Sequence, residues 1–548
     1  AVSFYTKQRI IEKYGIPAPD NSPEEQKKTK RRIIAGIFKY LGLTLLALLI
    51  FAAILTQAPW KVTAGFFVLF AMNTLLPRGA IKWLWVMILF LVIAFVVWIL
   101  LPADQQGWEP YKFQNEINAF HQKYSVPADA NAAVIYNRIF AEYDYNDLAP
   151  QDVNSKIYEN AREEPWKTNQ YPELTKWLDS RRNLLEDLQK INDYEKCYFH
   201  RTPDIFELEE SMDNLAKARK LLPLLSVSAN SNFSKDHTKD AVAKAMTAMR
   251  MGSHFISQPS LIDNLVGISM QAIAMENIRT FAFSGKLAES TLESIGQKWP
   301  PLTDQWPQKF RTALDFERLY MKSHFALMYQ VNEKGQIRVN PNLLTTLREL
   351  VPQLKFSADK NKKPGYWKNR LGKFSSALGR LWLPKNPRQI SYFVDSAYAA
   401  IYFDKIESNR TLDMNEVFSK PGPYGIPPTN FRSVVENMVR ILQPAIGRIA
   451  EMHNRTLTER RGTYLVLAIA AYQSRTDDWP DSLDDIAQDV PPLALKDAYT
   501  GADFVYEKTD ENFRLYSIGP NGKDDGGLDE PADADDWLIW PEPRRKTS

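Results

Sequence analysis

The sequence predicts a mainly α protein with N-terminal transmembrane helices, a large helical body of bundle or TPR-like type, and a small α+β C-terminal module with a β-hairpin. Three observations carry this expectation. The long apolar runs are confined to residues 33–101. From there to about residue 455, apolar residues recur at the i, i+3, i+4 spacing of amphipathic helices. From about Gly462 the pattern shifts to short strands separated by Gly, Pro and Asp.

The first 32 residues end in Lys27-Lys28-Thr29-Lys30-Arg31-Arg32. Such a cluster is held on the cytoplasmic side during insertion, so residues 1–32 are expected inside. Ile33–Leu55 and Ile81–Leu101 each supply the run of about 20 apolar residues that a bilayer crossing needs. Val62–Leu76 is shorter and carries Asn73 and Thr74, so it crosses only if tilted or if the bilayer thins. With three spans, about 33–55, 62–76 and 81–101, Arg78 and Lys82 fall inside with the N-terminus, and residues 102–548 fall outside. With two spans the body is cytoplasmic. Charge placement favours three, and Trp98 and Trp108 fit an interfacial belt at the exit. The expected location is a bacterial inner (cytoplasmic) membrane, with the body in the periplasm.

The body, 102–455, reads as successive helices. Asn131–Tyr143 places Val134, Ile135, Ile139 and Phe140 on one face, and Tyr171–Ile191 does so with Leu174, Trp177, Leu184 and Leu188. Leu208–Leu225 and Asp240–Ile256 continue the pattern. Leu261–Phe283 is apolar on nearly all sides, with Asp263, Asn264, Glu276 and Asn277 as polar relief, which predicts a central helix. Leu292–Lys298, Trp306–Gln330 and Asn342–Leu354 follow. No 34-residue period is present, so the resemblance to repeat solenoids is limited to antiparallel helix pairs.

Residues 360–388 differ from the rest. They hold nine Lys or Arg and no acid, interleaved with Tyr366, Trp367, Leu371, Phe374, Leu378, Leu381 and Trp382. Lys362, Lys363, Lys368, Arg370, Lys373 and Arg380 form a candidate surface for an anionic bilayer or an acidic partner. The alternative is a solvated basic face whose apolar side docks on the body.

The C-terminal module, 456–548, opens with a helix, Gly462–Ser474, then Trp479-Pro480-Asp481-Ser482-Leu483. Strands are predicted at Asp503–Lys508 and Asn512–Ile518, followed by Gly519-Pro520-Asn521-Gly522-Lys523-Asp524-Asp525-Gly526-Gly527. This order resembles the C-terminal half of type II secretion major pseudopilins, most specifically at Leu515–Gly522. The pseudopilin methylation motif and stalk do not occur in this sequence, so the resemblance does not extend to filament assembly. It does imply a calcium loop, with Asp525, Asp529 and Asp533 as side-chain ligands and Leu515 or Ser517 giving a main-chain oxygen. By composition alone, residues 519–537 hold six aspartates and Glu530 against one lysine. That suits either calcium, which takes about six to eight oxygens, or a solvated acidic turn. More broadly, the body resembles membrane-anchored helical proteins of planctomycete-type bacteria, which share a helix start like Gly252–Gln258 and this tail. No activity comes with that wider resemblance.

A net charge of +3 gives no global basic field, so nucleic acid is not an expected partner. The single cysteine, Cys197, excludes an intramolecular disulfide framework and cysteine-rich metal sites. Six scattered histidines form no H-E-x-x-H, and neither G-x-S-x-G nor a phosphate-binding G-x-x-x-x-G-K-[ST] occurs. No catalytic and no cofactor-binding residue is assigned, and an enzyme is the less expected reading. The expected function is a membrane-anchored extracytoplasmic scaffold or interaction protein, an accessory subunit of an inner-membrane complex. Its expected partners are the lipid bilayer and other subunits. The alternatives are a component of an envelope secretion or transport machine, and a hydrolase with its site in the helical body.

Overall fold

The computed structural model describes residues 112–200, 205–326, 329–331, 337–339, 388–403, 431–441, 443–509, 512–527 and 535–541, with isolated positions between 23 and 47. Among them no helix is long and apolar enough to cross a membrane. The runs 62–76 and 81–101, nearly all of 33–55, the expected helix 342–354 and the basic residues 360–387 lie outside the described residues. The chain divides into two compact units. In the first, β1 (Tyr329–Val331) pairs antiparallel with β2 (Ile337–Val339). The hairpin begins where the sequence predicted the end of a helix reaching Gln330.

The second unit is helical with a small sheet. It opens with α1 (Lys112–Tyr124) and α2 (Ala133–Glu142). α2 buries Ile135, Tyr136, Ile139 and Phe140, but Val134, expected on the same face, is 53 % exposed. After α3 (Ser155–Glu163), the single helix expected over 171–191 is two, α4 (Pro172–Ser180) and α5 (Arg182–Gln189). The break is at Arg181, whose backbone leaves the helix (φ −105°, ψ 13°) and whose Nε donates to the Asp147 carbonyl. Both short helices still turn their leucines, Leu174, Leu178, Leu184, Leu185 and Leu188, into the core.

The centre is built by α6 (Ile205–Ser234), α7 (Thr238–Ile256) and α8 (Leu261–Phe283). α8 has the bounds its apolar pattern predicts, and it is buried as predicted. Most of its polar residues are not turned to solvent, however, although Glu276 is half-buried. Asp263, Asn264, Gln271, Asn277 and Arg279 are all buried. Asn264 Nδ2 donates to the Ile256 and Gln258 carbonyls, Gln271 Nε2 to Ser253 Oγ, and Arg279 to Thr463 Oγ1. Asn264, Gln271 and Arg279 therefore fasten α8 to its neighbours, which offsets the cost of burying them. α7 and α8 cross at two glycines. A Cβ on Gly252 would sit 2.6 Å from Gln271 Cγ and 2.9 Å from the Gly267 carbonyl oxygen. The segment Gly252–Gln258 thus ends a helix instead of starting one. Gln258 then ties it to the 197–199 segment, donating to the Cys197 carbonyl and accepting from the Phe199 amide.

After α9 (Glu289–Gln297) comes α10 (Trp306–Ala326), then α11 (Arg388–Tyr398) and α12 (Phe431–Ile441). Lys322 of α10 is only 1 % exposed. Its ammonium lies 2.9 Å from Glu116 of α1 and 2.7 Å from Asp395 of α11, so one buried cation joins three helices.

The last helix, α13, runs unbroken from Gln443 to Thr476, well ahead of the Gly462 start read from the sequence. One side, Leu467 and Ala470, enters the main core, while Leu465, Val466 and Ile469 enter a second core. That second core is covered by a three-stranded antiparallel sheet in the order β3 (Val505–Lys508), β4 (Phe513–Ser517), β5 (Trp537–Trp540). β3 and β4 match the expected hairpin within two residues. β5 was not expected, because four residues beyond a long acidic loop carry too little pattern to register. Phe283, the last residue of α8, stacks on Trp479 and packs against Trp540, carrying the body's central helix into the second core.

Candidate acidic centre of the C-terminal module

At the end of β4 the chain turns back through Gly519 (φ +64°), where a Cβ would collide with the main chain of Asp535. Only glycine fits there. The turn brings Asp524 and Asp525 to the start of β5, beside Asp535 and Asp536. Carboxylate oxygens of Asp525, Asp535 and Asp536 all lie within 4.8 Å of one another.

Main-chain donors orient this cluster. Asp536 Oδ2 accepts from the amides of Asp525 (2.9 Å) and Gly527 (2.7 Å), and Asp535 Oδ2 accepts from Asn521 N (3.1 Å). Asn521 Nδ2 donates to Asp525 Oδ2, and Tyr516 OH donates to Asp524 Oδ1. Arg514 reaches the Gly526 carbonyl from the far side of the loop. The other oxygens, Oδ1 of Asp535 and of Asp536, are buried without a hydrogen-bond partner among the described residues. Asp536 as a whole is 1 % exposed. Burial pushes both carboxyls above the ordinary carboxylate range. The negative Asp525 adds to this at both, and Asp524 adds at Asp536.

The donor set is all oxygen, and two of its oxygens face inward unpaired. This suits a hard divalent cation of the calcium type, for which the three carboxylates would furnish part of the shell. Of the residues singled out from sequence, Asp525 is in the cluster, while Asp529 and Asp533 lie outside the described residues. The Ser517 hydroxyl belongs to a different centre. It donates to Asp497 Oδ2 (2.9 Å) and accepts from the Gly519 amide, while the residue itself pairs with Trp537 in the sheet. Asp535 and Asp536 were not singled out. The signal that marks them is the apolar Trp537–Trp540 run directly behind, which fixes them at a strand entrance.

Asp497 is the module's second buried carboxylate. Its Oδ1 accepts from Thr458 Oγ1 of α13 and from Tyr499 N, and its Oδ2 accepts from Thr500 Oγ1 and Ser517 Oγ. The Asp497-Ala498-Tyr499-Thr500-Gly501 segment is thus a clamp between helix and sheet. The cation-surface candidates Lys362, Lys363, Lys368, Arg370, Lys373 and Arg380 lie outside the described residues.

The second unit is thus helical, with a small antiparallel sheet over its second core and an acidic centre beside the last strand. No known protein family, curated protein or solved structure matches the chain.

Proposed function

We propose that this protein is a membrane-anchored extracytoplasmic scaffold, an accessory subunit of an inner-membrane assembly, whose C-terminal module is fixed by a divalent cation, calcium by preference. The observation that carries the reading is the construction of the second unit. A helical body and a sheet module share one long helix, α13, whose residues enter both cores, and this continuity supports a scaffold. The apolar runs of 33–101 supply the anchor, and the basic segment 360–388 supplies a contact for anionic lipid or an acidic partner.

Purification of the full chain from membranes in mild detergent tests the proposal. A stoichiometric complex with other membrane subunits is expected, with reporters fused at residue 110 and after residue 540 both read as extracytoplasmic. A monodisperse chain without partners, or cytoplasmic reporters at both positions, would overturn it. Secretion-machine components in the complex would favour the reading that the pseudopilin-like tail supports.

A further inference from the structure

The 299–305 segment, between α9 and α10, lies against α13 and gathers more positive charge than it balances. Arg460 and Arg461 are 8 % and 7 % exposed. Among the described residues neither guanidinium is hydrogen-bonded to a carboxylate. Arg460 donates to the Pro301 carbonyl (3.0 Å) and to Gln271 Oε1 (2.6 Å), and its Nε is buried with no acceptor among the described residues. Arg461 spends its donors on the Leu302 and Lys496 carbonyls.

Two further bases face the same place. Lys309, in the first turn of α10, has no carboxylate partner among the described residues. Burial and the facing Arg460 bring its ammonium down to about 8. His453, 4 % exposed, places Nε2 3.1 Å from Asp304 Oδ1. Burial lowers its pKa and the charges of Arg460 and Lys309 add to this, against the pull of Asp304. The acids acting on the cluster are Asp304, which is exposed, and Asp497, which acts on Arg461.

Buried cations held only by carbonyl dipoles are costly. An oxyanion brought to them gains charge-assisted hydrogen bonds. We propose that this cluster is an oxyanion-binding site, in which the exposed carboxylate of Asp304 occupies by default the place of a phosphate or carboxylate group on a small ligand. Lys309, His453 and Arg460 Nε are the groups that would receive it. Asp304 is then a built-in competitor, and displacing it opens the site.

The test is titration of the full chain in mild detergent with inorganic phosphate, against chloride at matched ionic strength. It compares the wild type, Asp304→Asn and the double variant Asp304→Asn/Lys309→Gln. Removing the competitor is expected to tighten phosphate binding about tenfold, and removing Lys309 to reverse the gain by a similar factor. Phosphate should also shift the NMR titration of His453 upward, an effect a merely structural lysine would not produce. Asp304→Ser serves if the asparagine variant fails to fold. A folded position-304 variant that takes up phosphate no better than chloride would overturn the assignment, as would a gain that survives loss of Lys309.

Discussion

Asp497 and Asp536 are both about 1 % exposed and lie in the same module, yet their surroundings make them opposites. Asp497 has both oxygens filled by donors from a helix, a turn and a strand. Asp536 has one oxygen filled and one empty among the described residues, and is raised by burial and by its acidic neighbours. A carboxyl raised in the folded state contributes stability below its unfolded pKa, and this is lost as pH rises through the folded value. At neutral pH ionising the cluster costs stability, and a bound cation would offset that cost. Calcium is expected to raise the melting temperature of the full chain by mass action, and magnesium, which dehydrates reluctantly, much less. Asp536→Asn should melt no lower than the wild type in chelator and should lose the calcium response. Equal melting of the wild type in calcium and chelator would reduce the cluster to an acidic turn. By contrast, Asp497→Ala leaves several donors unmet and should cost about 3 kcal/mol, read as a lower denaturation midpoint. The resemblance read from the sequence put Ser517, at a strand end, and Asp525, in the loop after it, around one calcium ion. It could not show that the Ser517 hydroxyl turns toward Asp497, because that depends on Thr458 arriving from a distant helix.

At the scale of elements, the α7–α8 crossing shows what composition conveys and what it hides. The bounds of α8 follow from its unbroken apolar run, and a helix apolar on all sides has to be buried. The glycines that permit the close crossing look unremarkable in sequence. A Cβ on Gly267 meets the main-chain nitrogen of Ile256 and the carbonyl of Gly252, and backbone cannot step aside as a side chain can. Gly267→Ala is therefore expected to lower stability by about 2 kcal/mol or more. Gly296 of α9 is the control, since a Cβ there finds nothing nearer than 3.5 Å. Gly296→Ala should be neutral or up to about 1 kcal/mol stabilising, as helix propensity dictates. Paired melting curves check both, and equal losses at the two glycines would refute the steric account. The split between α4 and α5 and the short strand β5 escaped the sequence for a related reason. Each is set by a tertiary partner, the Asp147 carbonyl in one case and β4 in the other, and not by local periodicity.

At the scale of the whole molecule, buried histidines set the response to acid. Burial brings His121 and His254 down to about 4, with His200 adding at the first and Arg250 at the second. The Tyr194 carbonyl opposes the shift at His254. A base whose folded pKa lies below its unfolded value of about 6.5 binds fewer protons folded than unfolded. Stability then falls as pH drops from about 6.5 toward 4. Burial raises Glu317 to about 7, so it acts the other way, losing stability as pH rises across the same range. His453 is lowered as well, and the raised Asp535 and Asp536 act with Glu317, so the histidine share is read by difference: between pH 6.5 and 4.5 the melting temperature should fall more steeply in the wild type than in His254→Gln. His254→Gln should flatten the slope. Equal slopes in the wild type and His254→Gln would show that this ring is accessible to protons in the folded state. The mainly helical class and the sheet at the C-terminal end were legible because periodicity and turn residues repeat along the chain. The buried charge of Lys322, Arg460 and Arg461 was not, since a lone basic residue on a helix looks the same whether it faces water or a carbonyl.

The continuity of α13 also governs the order in which the molecule can be made. A nascent chain emerging from the ribosome holds α6, α7 and α8 long before Leu467 and Ala470 arrive to complete their core. Trp540, which shelters Phe283 at the end of α8, comes later still. Until about residue 540 has emerged, part of the packing around the end of α8 is missing. A chain stopped near residue 442 should aggregate or be degraded instead of accumulating as a trimmed domain, so the tail cannot be exchanged between proteins as an independent cassette.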